Sequence, residues 1–136
     1  MFIDRMVNQG NIPLVERMMK LTAKRHELLA ENIANLSTPG YQQKDLDVGA
    51  FQQMLRDRAA RRRAGSPGTT SFDDLDPASL SVDGSGRGML FHDRANRSVE
   101  ALMGDMSGNA MKYNLFVELL RKQYGSFDNV LRERVS

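Results

Sequence analysis

Two stretches of this chain repeat apolar residues at alternating intervals of three and four, and that periodicity leaves little room for anything but long helices that need partner surfaces. The first seam runs Ile12, Val15, Met19, Thr22, His26, Leu29, Ile33 and Leu36, with Thr22 and His26 as polar interruptions. A second column, Leu14, Leu21 and Leu28, widens it. Asn11 is placed to cap the start, and Pro13 sits just inside it, where a missing N–H costs nothing. The second seam runs Val99, Leu102, Met106, Asn109, Tyr113, Phe116, Leu120, Gln123, Phe127 and Val130. Its flanking column is Met103, Ala110, Val117, Tyr124 and Leu131. Gly104, Gly108 and Gly125 weaken this helix by ~1 kcal/mol each relative to Ala. The fold expected is mainly α, with long N- and C-terminal helices packed as an antiparallel, coiled-coil-like pair. The middle segment is expected to be small and irregular and to contain a β-hairpin.

The chain divides accordingly into three parts. Residues 1–44 carry the first helix and the turn that ends it, 45–95 the middle segment, and 96–136 the last helix. Within the middle, Val48 to Arg63 reads as a short helix with Phe51, Met54 and Leu55 on one face. Residues 64–71, rich in Gly, Ser and Thr, read as a mobile loop. Residues 80–91 read as two short extended runs around a Gly-rich turn, a small hairpin.

Composition narrows the function classes. Nineteen Lys+Arg against 17 Asp+Glu give a net charge of +2, too balanced to indicate nucleic-acid binding on its own. The charge is nevertheless uneven. Arg56, Arg58, Arg61, Arg62 and Arg63 cluster, while Asp73, Asp74, Asp76 and Asp83 form an acidic run. The basic cluster is either a solvated face or a surface for nucleic acid or anionic lipid. With no cysteine there are no disulfides or thiolate metal sites. The two histidines, His26 and His92, lack ligand spacing. No nucleophile elbow, phosphate loop or calcium loop is present. Neither a cofactor nor a small-molecule substrate is expected, and the chain does not read as an enzyme. The first residues lack the apolar core of a cleavable signal peptide, and no run approaches the ~20 apolar residues needed to cross a bilayer.

The end of the first helix is the most specific stretch. Asn32, Asn35, Thr38, Pro39, Gly40 and Tyr41 make an Asn-x-x-Asn-x-x-Thr-Pro-Gly-Tyr pattern. This resembles the signature of the flagellar rod and hook axial proteins, and the short chain with its last helix at the C-terminus resembles the proximal rod members. Asn96-Arg97-Ser98-Val99-Glu100 resembles the family's lead into the C-terminal helix, although Ala95 stands where the family usually has glycine.

The resemblance implies a structural subunit that polymerises helically into the drive shaft of the basal body, across the periplasm. It implies export by the flagellar type III apparatus without a cleavable signal. The implied partners are further copies, other rod subunits, the rod–ring junction protein and the export gate, with no nucleic acid. Phe51 and Leu55 fit the family's Phe-x-x-x-apolar gate-recognition pattern. The residues expected to pack the helices are Val15, Met19, Leu29, Ile33, Leu102, Met106, Tyr113, Phe116, Leu120 and Phe127. Asn32 and Asn35 can bond freed carbonyls or a neighbouring subunit, or simply mark a frayed helix end. Thr22, His26, Asn109 and Gln123 either fix register or sit exposed at a loose seam. The competing reading is a cytosolic helical-hairpin adaptor, or a nucleic-acid binder using Arg56–Arg63.

Overall fold

The computed structural model describes residues 11–65, 72, 75–77 and 99–133, and the backbone of 81–83 and 94–98. The element order is α1 (Ile12–Ala34), β1 (Lys44–Leu46), α2 (Val48–Arg63), β2 (Ser81–Asp83) and α3 (Arg94–Glu133). The expected pair of terminal helices is present. α1 and α3 pack side by side and run antiparallel, so that Asn109 lies beside Thr22 while Leu120 clusters with Ile12 and Val15. At a rise of 1.5 Å per residue α3 is ~60 Å long and α1 ~35 Å.

α1 buries two sides. Ile12, Val15, Thr22 and Leu29 lie along the first seam, and Ile12 and Val15 pack with Leu120. Met18, Leu21 and Leu28 pack instead with Leu46, Phe51, Leu55, Phe72 and Leu75. The heptad seam therefore gives half of the interior. A second column, Met18-Leu21-Arg25-Leu28-Asn32, faces the middle segment, which explains why Met19, His26 and Ile33 are only half-buried.

α3 remains one uninterrupted helix through Gly104, Gly108 and Gly125. Extensive packing along one face offsets the local cost of the glycines. The seam's polar members Thr22 and Asn109 meet. Asn109 Nδ2 donates to the Thr22 carbonyl oxygen at 2.7 Å, and the two residues are 2% and 4% exposed. The Thr22 hydroxyl donates in turn to the Met19 carbonyl at 2.8 Å. Asn109→Leu is expected to lower stability by about 0.5–1.5 kcal/mol, since it removes a buried hydrogen bond while the Thr22 carbonyl keeps its partner within α1; urea denaturation measures this. The Oε1 atom of Gln123 is buried and has no hydrogen-bond partner.

Four expectations change. The Asn11 backbone is helical (φ −82°, ψ 0°), its side chain makes no cap bond, and only its carbonyl closes the first turn, accepting from Val15 N at 3.0 Å. Met54 is 40% exposed while Phe51 and Leu55 are buried. It lies ~100° round the helix from Leu55, and α2 meets the core along a narrow face. The extended run at 81–83 pairs antiparallel with β1, placing Asp45 opposite Val82. Its partner thus follows the first helix, and a period-two signal only three residues long did not reveal it. The Gly-rich turn and the second extended run, within 84–91, lie outside the described residues, as do the loop residues 66–71, Asp73, Asp74 and His92. Finally, Tyr113 is 37% exposed, and Met103, Tyr124, Val130 and Leu131 are also exposed. A single antiparallel neighbour covers one side of α3 and leaves the flanking columns open.

Candidate assembly site

The chain leaves α1 through a sequence of tight turns. Asn35 N donates to Glu31 O at 3.0 Å, Leu36 N to Ile33 O at 3.3 Å, and Thr38 N to Asn35 O at 3.0 Å. Tyr41 N then donates to Thr38 O at 3.2 Å, closing a four-residue turn with Pro39 and Gly40 at its centre. Gly40 has φ +76°, so this is a type II turn, which takes Pro at its second position and Gly at its third. A Cβ at Gly40 would meet nothing within 4 Å, and the requirement for glycine is one of backbone conformation alone. Gly40→Ala is therefore expected to lower stability by about 1–2 kcal/mol through left-handed strain, without a clash; thermal unfolding would register it.

The two asparagines have different jobs. Asn35 is local: Nδ2 donates to the Glu31 carbonyl at 2.9 Å, and Oδ1 accepts from the Thr38 hydroxyl at 3.3 Å. Asn32 is 2% exposed and works at long range. Its Nδ2 donates to the Lys44 carbonyl at 2.6 Å, while its Oδ1 accepts from Lys44 N at 2.9 Å and from the Tyr41 hydroxyl at 3.2 Å. The carboxamide thus satisfies both backbone groups of one β1 residue, as a neighbouring strand would. β1 is held between Asn32 and β2.

About two turns earlier on the same column, Arg25 grips the next residue of β1. Its Nε and Nη2 atoms donate to the two Asp45 carboxylate oxygens at 2.8 and 2.9 Å. This two-point pair is largely sheltered, with the Arg25 side chain 12% exposed. The bond to Asp45 holds the Arg25 guanidinium pKa above its ordinary value, against the opposing effect of burial. Sequence reasoning missed the pair. Its signal was an Arg and an Asn at three-and-four spacing with Met18, Leu21 and Leu28, a polar column that requires polar partners.

β1 leads directly into α2, where Asp47 Oδ1 accepts from Ala50 N at 2.8 Å as the N-cap. Phe51 and Leu55, the residues of the gate-recognition pattern, are 0% and 2% exposed at the centre of the main cluster. The arginines surround the end of α2 rather than lining one face. Arg56 and Arg63 share one flank, Arg61 lies on the opposite side, and Arg62 stacks 5.9 Å from the centroid of the Phe72 ring. Three of them occupy the last turn, where they favourably oppose the helix dipole.

Of the residues expected to pack the helices, Val15, Leu29, Leu102 and Leu120 are buried, while Met19, Ile33, Met106, Phe116 and Phe127 are half-buried. Tyr124 crosses between the helices, donating its hydroxyl to Glu16 Oε1 at 2.7 Å, and that bond pushes its pKa up. A cavity of about 180 Å³ lies among the three helices, bounded by Leu21, Arg25, Val48, Asn109, Lys112 and Phe116 among others. Among the described residues no group of three His, Asp or Glu could hold a metal ion, and no helix is long and apolar enough to cross a membrane.

The chain is similar along most of its length to curated proteins named flagellar basal body rod protein FlgB. The protein of Salmonella typhimurium is 28% identical over 124 residues, covering 86% of this chain and 89% of the relative. That of Bacillus subtilis is 26% identical over 124 residues, covering 90% and 93%. That of Yersinia enterocolitica is 29% identical over 135 residues, covering 91% and 95%. No family model matches the chain, and no solved structure does.

Proposed function

We propose that this chain, a homologue of the flagellar basal body rod proteins, is a structural subunit that builds the shaft of the basal body and carries motor torque along it. The observation that carries this reading is the long α1–α3 pair, which still exposes large apolar side chains on α3, Met111, Leu115 and Leu119 among them. A monomer gains nothing from such a surface. A subunit packed lengthwise among others buries it, at roughly 25 cal/mol per Å2. Neighbours along helices of this length resist shear because their contributions add along the stripe.

In this reading the Thr38–Tyr41 turn and the Asn32 clamp aim the chain out of the rod core. They hold the segment around β1 and α2 at a fixed angle to the two axial helices. Other rod subunits and the rod–ring junction protein are the neighbours, and the subunit lies in the periplasmic span. It leaves the cytosol through the flagellar type III apparatus, with Phe51 and Leu55 read by the export gate. Since both side chains are core residues of the folded chain, the gate reads them before α2 packs against α1.

The test is complementation of a chromosomal deletion on soft agar. The wild-type chain is expected to restore swimming. Gly40→Val is expected to fail while retaining a cooperative thermal transition, because it alters the turn more than the core. A deletion strain that swims normally would overturn the proposal.

A further inference from the structure

Two faces of the molecule are left without partners in the described chain, and they complement one another. On α3, Met111, Leu115 and Leu119 are 70%, 56% and 39% exposed. At 100° per residue they share an arc of ~80°, roughly a third of a turn away from Asn109 and the α1 contact. They form a ridge of large side chains, and Lys122 continues it beyond Leu119. On α1, Ala23, Ala30 and Ala34 are exposed on the side turned away from α2, and they form a shallow groove. Glu27 lies within that groove, paired at the surface with Lys24 at 2.7 Å, and Glu31 borders it, half-open to solvent and held only loosely by Lys44 at 3.5 Å.

We infer that the α3 ridge of one copy packs into the α1 groove of a second copy, with Lys122 beside the groove's glutamates. Size and charge both fit: large side chains meet alanines, and a lysine meets carboxylates. Within one chain the two faces cannot meet, because α1 and α3 already touch along the line of Thr22 and Asn109. The two faces are also different surfaces, so the contact is heterologous. Each copy keeps a free ridge and a free groove, which is the condition for open helical growth rather than a closed pair. This inference rests on the rod reading and names the surfaces through which copies meet.

The absence of cysteine makes the test clean. Two differently tagged full-length copies, one Leu115→Cys and the other Ala30→Cys, are expressed together, and isolated basal bodies are treated with a short bis-maleimide. The expected result is a covalent dimer carrying both tags. It should be absent when either variant is expressed alone, and absent when Gln53→Cys on the exposed face of α2 replaces Ala30→Cys. Leu115→Glu is expected to reduce incorporation into basal bodies at least tenfold with no change in the monomer's unfolding midpoint. Basal bodies that contain both cysteine variants but yield no mixed dimer, a dimer with Gln53→Cys instead, or normal incorporation of Leu115→Glu would each overturn the inference and leave the rod reading standing. Absence of both tagged chains from basal bodies would remove the rod reading, and this inference with it.

Discussion

Phe51→Ala is expected to destabilise the chain by roughly 3–5 kcal/mol, the range for removing a buried aromatic ring. Phe51 is fully buried and packs in the cluster that joins α1, β1, α2, Phe72 and Leu75. The loss is a large fraction of the whole stability of a typical domain, ~5–15 kcal/mol. Urea denaturation should show a lower midpoint at unchanged slope. This bears directly on the export proposal, because reduced secretion of this variant alone has two explanations. A matched core lesion separates them. Leu28→Ala, in the same cluster, is expected to cost ~2–5 kcal/mol without touching the gate pattern. If the gate reads Phe51, secretion falls in Phe51→Ala and not in Leu28→Ala. Equal secretion from the two variants would remove the gate assignment.

Asn32→Leu is expected to cost about 2–4 kcal/mol, although leucine is as large and more apolar. The substitution leaves the Lys44 N–H and carbonyl without the carboxamide that serves both, and the Tyr41 hydroxyl loses its acceptor as well. Each unsatisfied sheltered group costs ~1–3 kcal/mol. Asn32→Asp retains the acceptor for Lys44 N but sets a second carboxylate oxygen against the Lys44 carbonyl in a site only 2% exposed, so it is expected to cost at least as much as Asn32→Leu. Amide exchange adds a positional readout: Lys44 N–H should exchange faster in Asn32→Leu and remain protected in Asn32→Asp. Uniform acceleration across α1 in both variants would show that Asn32 acts on the helix rather than on β1.

The axial architecture was legible because period is a local property of sequence. Val15, Leu29, Leu102 and Leu120 lie where the three-and-four spacing placed them, and the polar members Thr22 and Asn109 meet across the interface. What the spacing could not show was how many sides of each helix are covered. α1 has neighbours on two sides, which brings Met18 and Asn32 inside. α3 is covered on one side, which leaves Tyr113 exposed. The turn was legible for a different reason, since Pro followed by Gly fits few backbone geometries. The long-range role of Asn32 was hidden, because its partner is a backbone residue twelve positions away. A three-residue strand such as β1 gives no periodic signal, and its pairing with 81–83 depends on the path of the chain between them.

The central claim is that the chain is a structural part of the basal body, and purification of basal bodies from cells expressing a tagged full-length chain tests it most directly. The account predicts that the tagged chain co-purifies with the rod after detergent extraction, and that basal bodies from a deletion strain lack a completed rod. A tagged chain found only in the soluble cytosolic fraction, together with complete rods in the deletion strain, would contradict it.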